Sequence, residues 1–344
     1  MKNFIFFLSV VCIFASCKNE DNLDSQFEGK TIELSPKEVL ALDKYDIDNP
    51  FRVEKLGQVY IFENKIDTER RYSVLYRDSN YAVHGVSQGQ GPNEVANATK
   101  LRQINGKAVS FDSNYRCVWS IGYDSDSVFV KRYKEIKLQM RNPFPVDTNY
   151  VIGLTKDSYW AYLIDYNGDI LSSIDFANDP ELDKVPEESR WSIFLNSEIA
   201  VSPNNKNFVC GCIHAGYLAF GTIEGTSIKK TREYIYGSMK IAGKHDSGFL
   251  VHSQDNPYYF ICAAASDKYA IMLYSGKTLK KDRMAVQDCN KILFYDWNGK
   301  PKCCINVTKP LSYVRFDQEE NIIYGICRED DPELVIYDMN NILE

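Results

Sequence analysis

The chain reads as an all-β protein, folded as a β-propeller of six or seven blades. Two observations predict this. Residues 31 to 338 alternate short runs rich in Val, Ile, Tyr and Phe with turns rich in Asp, Asn and Gly, and few stretches carry a helical period. A weak internal repeat is also present, in which Leu163-Ile164-Asp165-Tyr166-Asn167-Gly168 matches Phe294-Tyr295-Asp296-Trp297-Asn298-Gly299. Each segment is an apolar strand closed by Asp-aromatic-Asn-Gly, a hairpin signal because Asn and Gly accept positive φ at little cost. The two turns lie 131 positions apart, which is three units of roughly 44 residues and suits four-stranded blades. Dividing about 300 folded residues by blades of roughly 45 to 50 gives six or seven, and closing such a ring removes most exposed sheet edges.

Individual strands are predicted at 58–62, 72–76, 108–111, 159–164 and 334–337, with turns at Asp112-Ser113-Asn114, Ser202-Pro203-Asn204-Asn205 and Asp317 to Asn321. The least strand-like stretch, Asn178 to Glu188, holds two prolines and an excess of carboxylates, and is read as a loop inserted between strands.

Residues 1–16 have the layout of a secretory signal: Lys2, an apolar run from Phe4 to Ile13, and small residues before Cys17. The apolar run is too short to cross ~30 Å of hydrocarbon comfortably. Phe14-Ala15-Ser16-Cys17 resembles the lipobox of bacterial lipoproteins, which implies cleavage before Cys17 and a lipid on its thiol. Residues 17–30 then form a flexible polar tether, and 31–344 a single propeller domain. Lys18-Asn19-Glu20-Asp21 is similar to the acidic tethers that send Bacteroidota lipoproteins to the outer face of the outer membrane; a plain solvated linker is the alternative, so the periplasmic face stays open.

Removal of residues 1–16 takes away Lys2 and leaves 39 basic against 47 acidic residues, a net charge of −8. Such a surface does not favour nucleic acid. Eight cysteines remain beyond Cys17, mostly within apolar runs, and burial as thiols is preferred over disulfides. Cys303 and Cys304 are adjacent, so on a strand they face opposite sides.

Gly89-Gln90-Gly91-Pro92-Asn93-Glu94 follows the strand 81–86. With Ser312 to Asp317 and Asn321 to Gly325, it resembles the TolB-like six-bladed β-propeller lipoproteins of the Bacteroidota, whose Gly-x-Gly-Pro-x-Glu loop would occupy Gly89, Gly91, Pro92 and Glu94. The resemblance implies six blades, with seven as the alternative. The loop lacks the third glycine and helix of a dinucleotide site and the Gly-Lys-Ser/Thr of a P-loop, so it reads as a turn in which Glu94 accepts from loop amides.

Histidines 84, 214, 245 and 252 have no metal-ligand spacing, and no cofactor motif is found. His84 reads as a packed or rim residue. Asp165, Asp169, Asp296 and Asp317 read as turn residues, and Asp124-Ser125-Asp126 as a solvated turn. Asp126-Ser127-Val128 resembles a Bacteroidota O-glycosylation acceptor, which implies a glycan on Ser127. The expected function is that of an outer-membrane lipoprotein that binds a glycan, peptide or protein partner without catalysis. The alternative is a carbohydrate-active hydrolase or lyase with paired carboxylates on the propeller axis.

Overall fold

A computed structural model describes residues 22–65, 67–340 and 342. The signal peptide and Cys17 lie outside the described residues. The chain opens with helix α1 (Leu23–Gln26) and strands β1 (Thr31–Leu34) and β2 (Glu38–Ala41). Blade one comprises β3 (Pro50–Leu56), β4 (Val59–Asn64), β5 (Tyr72–Tyr76) and β6 (Tyr81–Gly85), followed by the short pair β7 (Ser87–Gln88) and β8 (Glu94–Val95). Blade two is β9 (Ala98–Ile104), β10 (Lys107–Asp112), β11 (Cys117–Tyr123) and β12 (Val128–Glu135). Blade three is β13 (Arg141–Pro145), β14 (Tyr150–Leu154), β15 (Ala161–Asp165) and β16 (Ile170–Ile174), and helix α2 (Glu187–Phe194) follows it. Blade four is β17 (Ser197–Val201), β18 (Asn207–Cys212), β19 (Tyr217–Glu224) and β20 (Ser227–Ile235), and leads into the hairpin β21 (Ile241–Lys244) and β22 (Leu250–His252). Blade five holds β23 (Phe260–Ala265), β24 (Tyr269–Tyr274), helix α3 (Leu279–Asp282), β25 (Cys289–Asp296) and β26 (Pro301–Leu311). Blade six has β27 (Tyr313–Asp317), β28 (Ile322–Cys327) and β29 (Glu333–Asp338). The described residues thus form six blades, and the seven-bladed alternative is set aside.

The ring is closed by the N-terminal segment. Strand β2 pairs antiparallel with β29 and becomes the fourth strand of blade six, while β1 adds a parallel fifth strand outside β26. The first strand of each blade lies innermost, and β3, β9, β13, β17, β23 and β27 touch in that order before β27 meets β3 again. Hydrophobic clusters fill the gaps between successive blades, so β4, β17 and β28 are buried on both faces. Double burial explains why these strands read as continuous apolar runs rather than alternating ones.

The repeat differs from the expectation in its phase and in the geometry of its turn. The repeated turns join β15 to β16 and β25 to β26, so they are equivalent, but they sit two blades apart rather than three. Inserted segments between blades three and five lengthen the interval. Within each turn only the glycine is left-handed, with Gly168 at φ 92° and Gly299 at φ 75°. Gly168 N–H donates to the Asp165 carbonyl at 3.0 Å, and Asp165 N–H to the Asp169 carbonyl at 3.1 Å. This is a three-residue loop closed by a glycine bulge.

The stretch read as a loop at 178–188 is largely helical. A 3-10 turn spans Pro180–Lys184, with Asp179 Oδ1 accepting from Glu181 N–H at 3.0 Å, and α2 follows at once. Asp before Pro is a helix-start signal that outweighed the loop composition. Helix α2 buries Trp191, Ile193 and Phe194 over blades three and four. The second half of the expected flexible tether is also ordered: Leu23 and Phe27, four residues apart on one side of α1, are buried against Phe220, Tyr234 and Tyr295. Polar neighbours hide this apolar pair in the sequence.

A chain starting at residue 31 keeps β1 and β2 and should fold, with a lower melting temperature from the loss of two buried side chains worth ~1.5–3 kcal/mol each. A chain starting at residue 42 leaves β29 as an open edge and should lose its cooperative melt. Circular-dichroism melts of the two truncations compare them, and equal melting would contradict closure by β2.

Candidate functional site

Residues two apart on a strand share a face. On the innermost strands that rule brings charged and polar side chains to the axis: Arg52 and Glu54 on β3, Lys100 and Arg102 on β9, Glu198 on β17, and the phenol of Tyr313 with Arg315 on β27. The apolar residues between them, Val53, Leu101, Ile199 and Val314, enter the inter-blade cores.

Strand β9 is bulged here. Lys100 and Leu101 together face Ser110 of β10, and Lys100 takes a left-handed φ of 66°. A non-glycine residue in that region costs on the order of 1–3 kcal/mol and clusters at functional sites. The displaced Leu101 N–H is taken up by Glu63 Oε2 on β4 at 2.8 Å. Lys100 Nζ is thereby brought to Glu198 Oε1 at 2.6 Å.

Glu198 also meets Arg102 Nη2 at 3.3 Å and Arg52 Nη2 at 3.7 Å. Burial alone would raise its carboxyl, but Lys100, Arg52 and Arg102 overcome burial and hold it down at about 2. Burial, then repulsion from Arg52 and Arg102, pushes Lys100 down to about 8 despite its bond to Glu198. On the far side of Arg102 from Glu198, Arg315 Nε donates to Glu54 Oε1 at 2.6 Å, and Tyr313 Oη donates to the same oxygen at 3.3 Å. Among the described residues this cluster sets four cations, Arg52, Lys100, Arg102 and Arg315, against three carboxylates, Glu54, Glu63 and Glu198.

A cavity of about 490 Å³ opens above Glu54, Arg102 and Arg315. Its mouth is built by the turns joining first to second strands, including Gly57-Gln58, Asn105-Gly106, Ser202-Pro203 and Gln318 to Glu320. At the rim, Lys55 Nζ bridges Asp317 Oδ2 at 2.7 Å and Glu320 Oε1 at 2.6 Å, tying blade one to blade six.

The family-like loop lies on the other face, in the connection from blade one to blade two. Gly91 N–H donates to Glu94 Oε2 at 2.6 Å, and Gly89 N–H to the Val95 carbonyl at 3.1 Å. A Cβ on Gly89 would collide with the Glu94 carboxylate, and one on Gly91 would stand 2.9 Å from Glu94 Cδ. Pro92 is exposed at the tip, and Asn93 Oδ1 accepts from Val130 N–H at 3.0 Å. The loop is a self-bonded turn leading into strand β8, away from the axial cavity.

Ser127 is exposed and donates to Asp124 Oδ1 at 3.1 Å in a tight turn. Asp165, Asp296 and Asp317 accept backbone N–H groups of their own turns, while Asp169 supplies one of those donors. His84 Nδ1 bonds Ser73 Oγ at 2.8 Å. His214 and His252, distant in sequence, stack at 3.9 Å between ring centroids, and burial followed by its partner's repulsion pushes His214 down to about 3. Among the described residues no group of three or more His, Cys, Asp or Glu could hold a metal. The eight described cysteines are buried free thiols, with Cys303 and Cys304 in different clusters.

The sequence reading missed the axial charges. Their signal was present as charged residues alternating with apolar ones in Arg52-Val53-Glu54, Lys100-Leu101-Arg102 and Tyr313-Val314-Arg315.

Removing the Glu198 charge leaves Lys100, Arg52 and Arg102 uncompensated, so Glu198→Gln should cost ~3–5 kcal/mol at pH 7. Folded Glu198 stays ionised down to about pH 2, against an ordinary value of 4.5. Its stabilisation is therefore complete above about 4.5 and is lost as pH falls toward 2. Urea unfolding of both proteins at pH 7 and pH 3 should show the variant's penalty shrinking at the lower pH. In the loop, Gly89→Ala should cost ~1–3 kcal/mol, and much less in a Glu94→Ala background. Additive costs in that double-mutant cycle would contradict the packing of carboxylate on glycine.

Residues 26–318 match the family described as TolB-like 6-blade propeller-like. No curated protein matches the chain. A solved structure from Bacteroides fragilis NCTC 9343, named "Putative exported protein", overlays with a TM-score of 0.52 at 10% identity, covering 89% of this chain and 98% of that one. U3-55K overlays at 0.48 with 7% identity over 89% and 99%, and a chain of a mitotic checkpoint complex at 0.48 with 10% identity over 98% of each. With the six blades, the closure by β2 and a match over most of its length, this chain belongs to the TolB-like six-bladed propeller family.

Proposed function

We propose that the protein is an exported lipoprotein, anchored to the outer membrane through Cys17, that binds a ligand in the axial cavity without catalysis. The observation that carries this reading is the cavity itself, a concave site with converging buried polar groups on the axis of a closed ring. The lipobox-like segment before Cys17 and the name of the Bacteroides fragilis structure support export.

The hydrolase alternative is less well supported. A glycosidase general acid must hold a proton at working pH. Here Glu54 is bonded to Arg315 and Glu320 to Lys55, while at Asp317 burial is outweighed by Lys55 and the backbone N–H groups of its own turn, which hold its carboxyl below the ordinary value.

The docked helix gives the anchor a geometric consequence. Five Cα steps lead from Cys17 to Asn22, so the anchoring residue reaches at most ~18 Å from the start of α1, at the outer edge between blades four and five. The ring would stand close to the membrane.

Cys17→Ala should abolish acyl labelling and release the protein from membranes, and retained labelling would overturn the anchor. Gln103→Trp, at the cavity mouth, should weaken any ligand found in glycan and peptide screens by at least tenfold. Equal binding by both proteins would move the site off the axis.

A further inference from the structure

The two arginines on the cavity floor flank one phenol. Arg102 Nη1 donates to Tyr313 Oη at 3.1 Å, and the Arg315 guanidinium carbon lies 4.3 Å from the Tyr313 ring centroid. Most of their donors are spent within the protein. Arg102 Nη1 also reaches the Leu101 carbonyl at 3.1 Å, and its Nη2 reaches Glu198. Arg315 Nη1 donates to the carbonyls of Ala263 and Val314, both at 3.0 Å. Arg102 Nε and Arg315 Nη2 remain, buried and without a protein acceptor. A buried guanidinium donor left without a partner is costly, more so than a neutral one.

Charge gives a second and independent argument. The axial cluster carries one cation more than it has carboxylates: Glu54 takes Arg315, and the single carboxylate of Glu198 is shared by Arg52, Lys100 and Arg102. Burial, with repulsion from Arg315 added to it, lowers Arg102 from its ordinary value. A single negative charge placed here would accept from the orphaned donors and balance the cluster. Carboxylate oxygens match the planar guanidinium fork.

We propose that the axial cavity takes a monocarboxylate, with its acid group at Arg102 and Arg315 and an uncharged body extending toward the mouth. This rests on the reading of the axial cavity as the ligand site and names the class of ligand. The wall beside the floor carries small apolar side chains, Ala200 and Ala264 among them, and about 490 Å³ accommodates a body of several carbons. Polyanions are disfavoured by the rim, where Asp317, Glu319 and Glu320 outnumber Lys55. Neutral ligands leave the two donors unmatched.

The test uses the mature chain and three probes, hexanoate, hexanamide and citrate, titrated by NMR or calorimetry. Hexanoate should bind saturably, at least tenfold tighter than either other probe. Arg102→Met removes the excess cation while Glu198 keeps Lys100 and Arg52, and should cost hexanoate at least tenfold with hexanamide unchanged. Should that variant fail to fold, the selectivity of the wild-type protein among the three probes still decides. Hexanamide binding as tightly as hexanoate, and weakened by Gln103→Trp, would overturn the carboxylate and leave the cavity standing as a ligand site. Tighter binding of citrate would overturn the monoanion. Saturable binding of none of the three would count against both the carboxylate and the cavity as a site.

Discussion

Glu198 stands where three cations from two other blades converge, and the centre of the ring is organised around it. Innermost strands in a propeller have one side facing neighbouring blades and the other facing the axis. Apolar residues serve the first side, as Val53, Leu101, Ile199 and Val314 do. On the second side this chain places charge, and charge buried among six converging strands must be paired or it destabilises the fold. Arg52, Lys100 and Arg102 on blades one and two are balanced across the axis by Glu198 on blade four, so the pairing itself spans the ring.

Compensation is incomplete, and this links stability to function. The bulge at Lys100 holds a lysine in a strained left-handed conformation and directs it to Glu198, while Glu63 takes up the N–H that the bulge frees. Even so, one cation exceeds the carboxylates, and two arginine donors lack acceptors beneath an open cavity. A core selected only for stability would pair or delete such groups. Their retention beneath the mouth is the physical basis for placing a ligand there.

Much of the architecture was legible in the sequence because blades are built from local chemistry. Strands at 72–76 and 334–337 announced themselves by β-branched and aromatic runs, and Asp165 to Gly168 and Asp296 to Gly299 by turn residues. Blade phase was not legible, since α2 and the β21–β22 hairpin lengthen two connections and make a two-blade interval resemble three short ones. Leu23 and Phe27 carried a helical spacing within a polar segment, but their partners on blades four and five are more than 190 residues away. The axial charges were hidden for a related reason. Alternation such as Arg52-Val53-Glu54 is the pattern of a strand with one face in water, and only closure of the ring turns that polar face toward a buried axis.

Lys100 reports on the whole arrangement, because its proton affinity depends on burial, on Arg52 and Arg102, and on Glu198 together. An NMR titration of the Lys100 ammonium in the mature protein is the most direct measurement of the axial charge imbalance. The account predicts a midpoint near pH 8, far below the ordinary value of 10.5, and an upward move when a carboxylate occupies the cavity. A midpoint at the ordinary value would contradict it, since the axis would then be either solvated or fully balanced in charge.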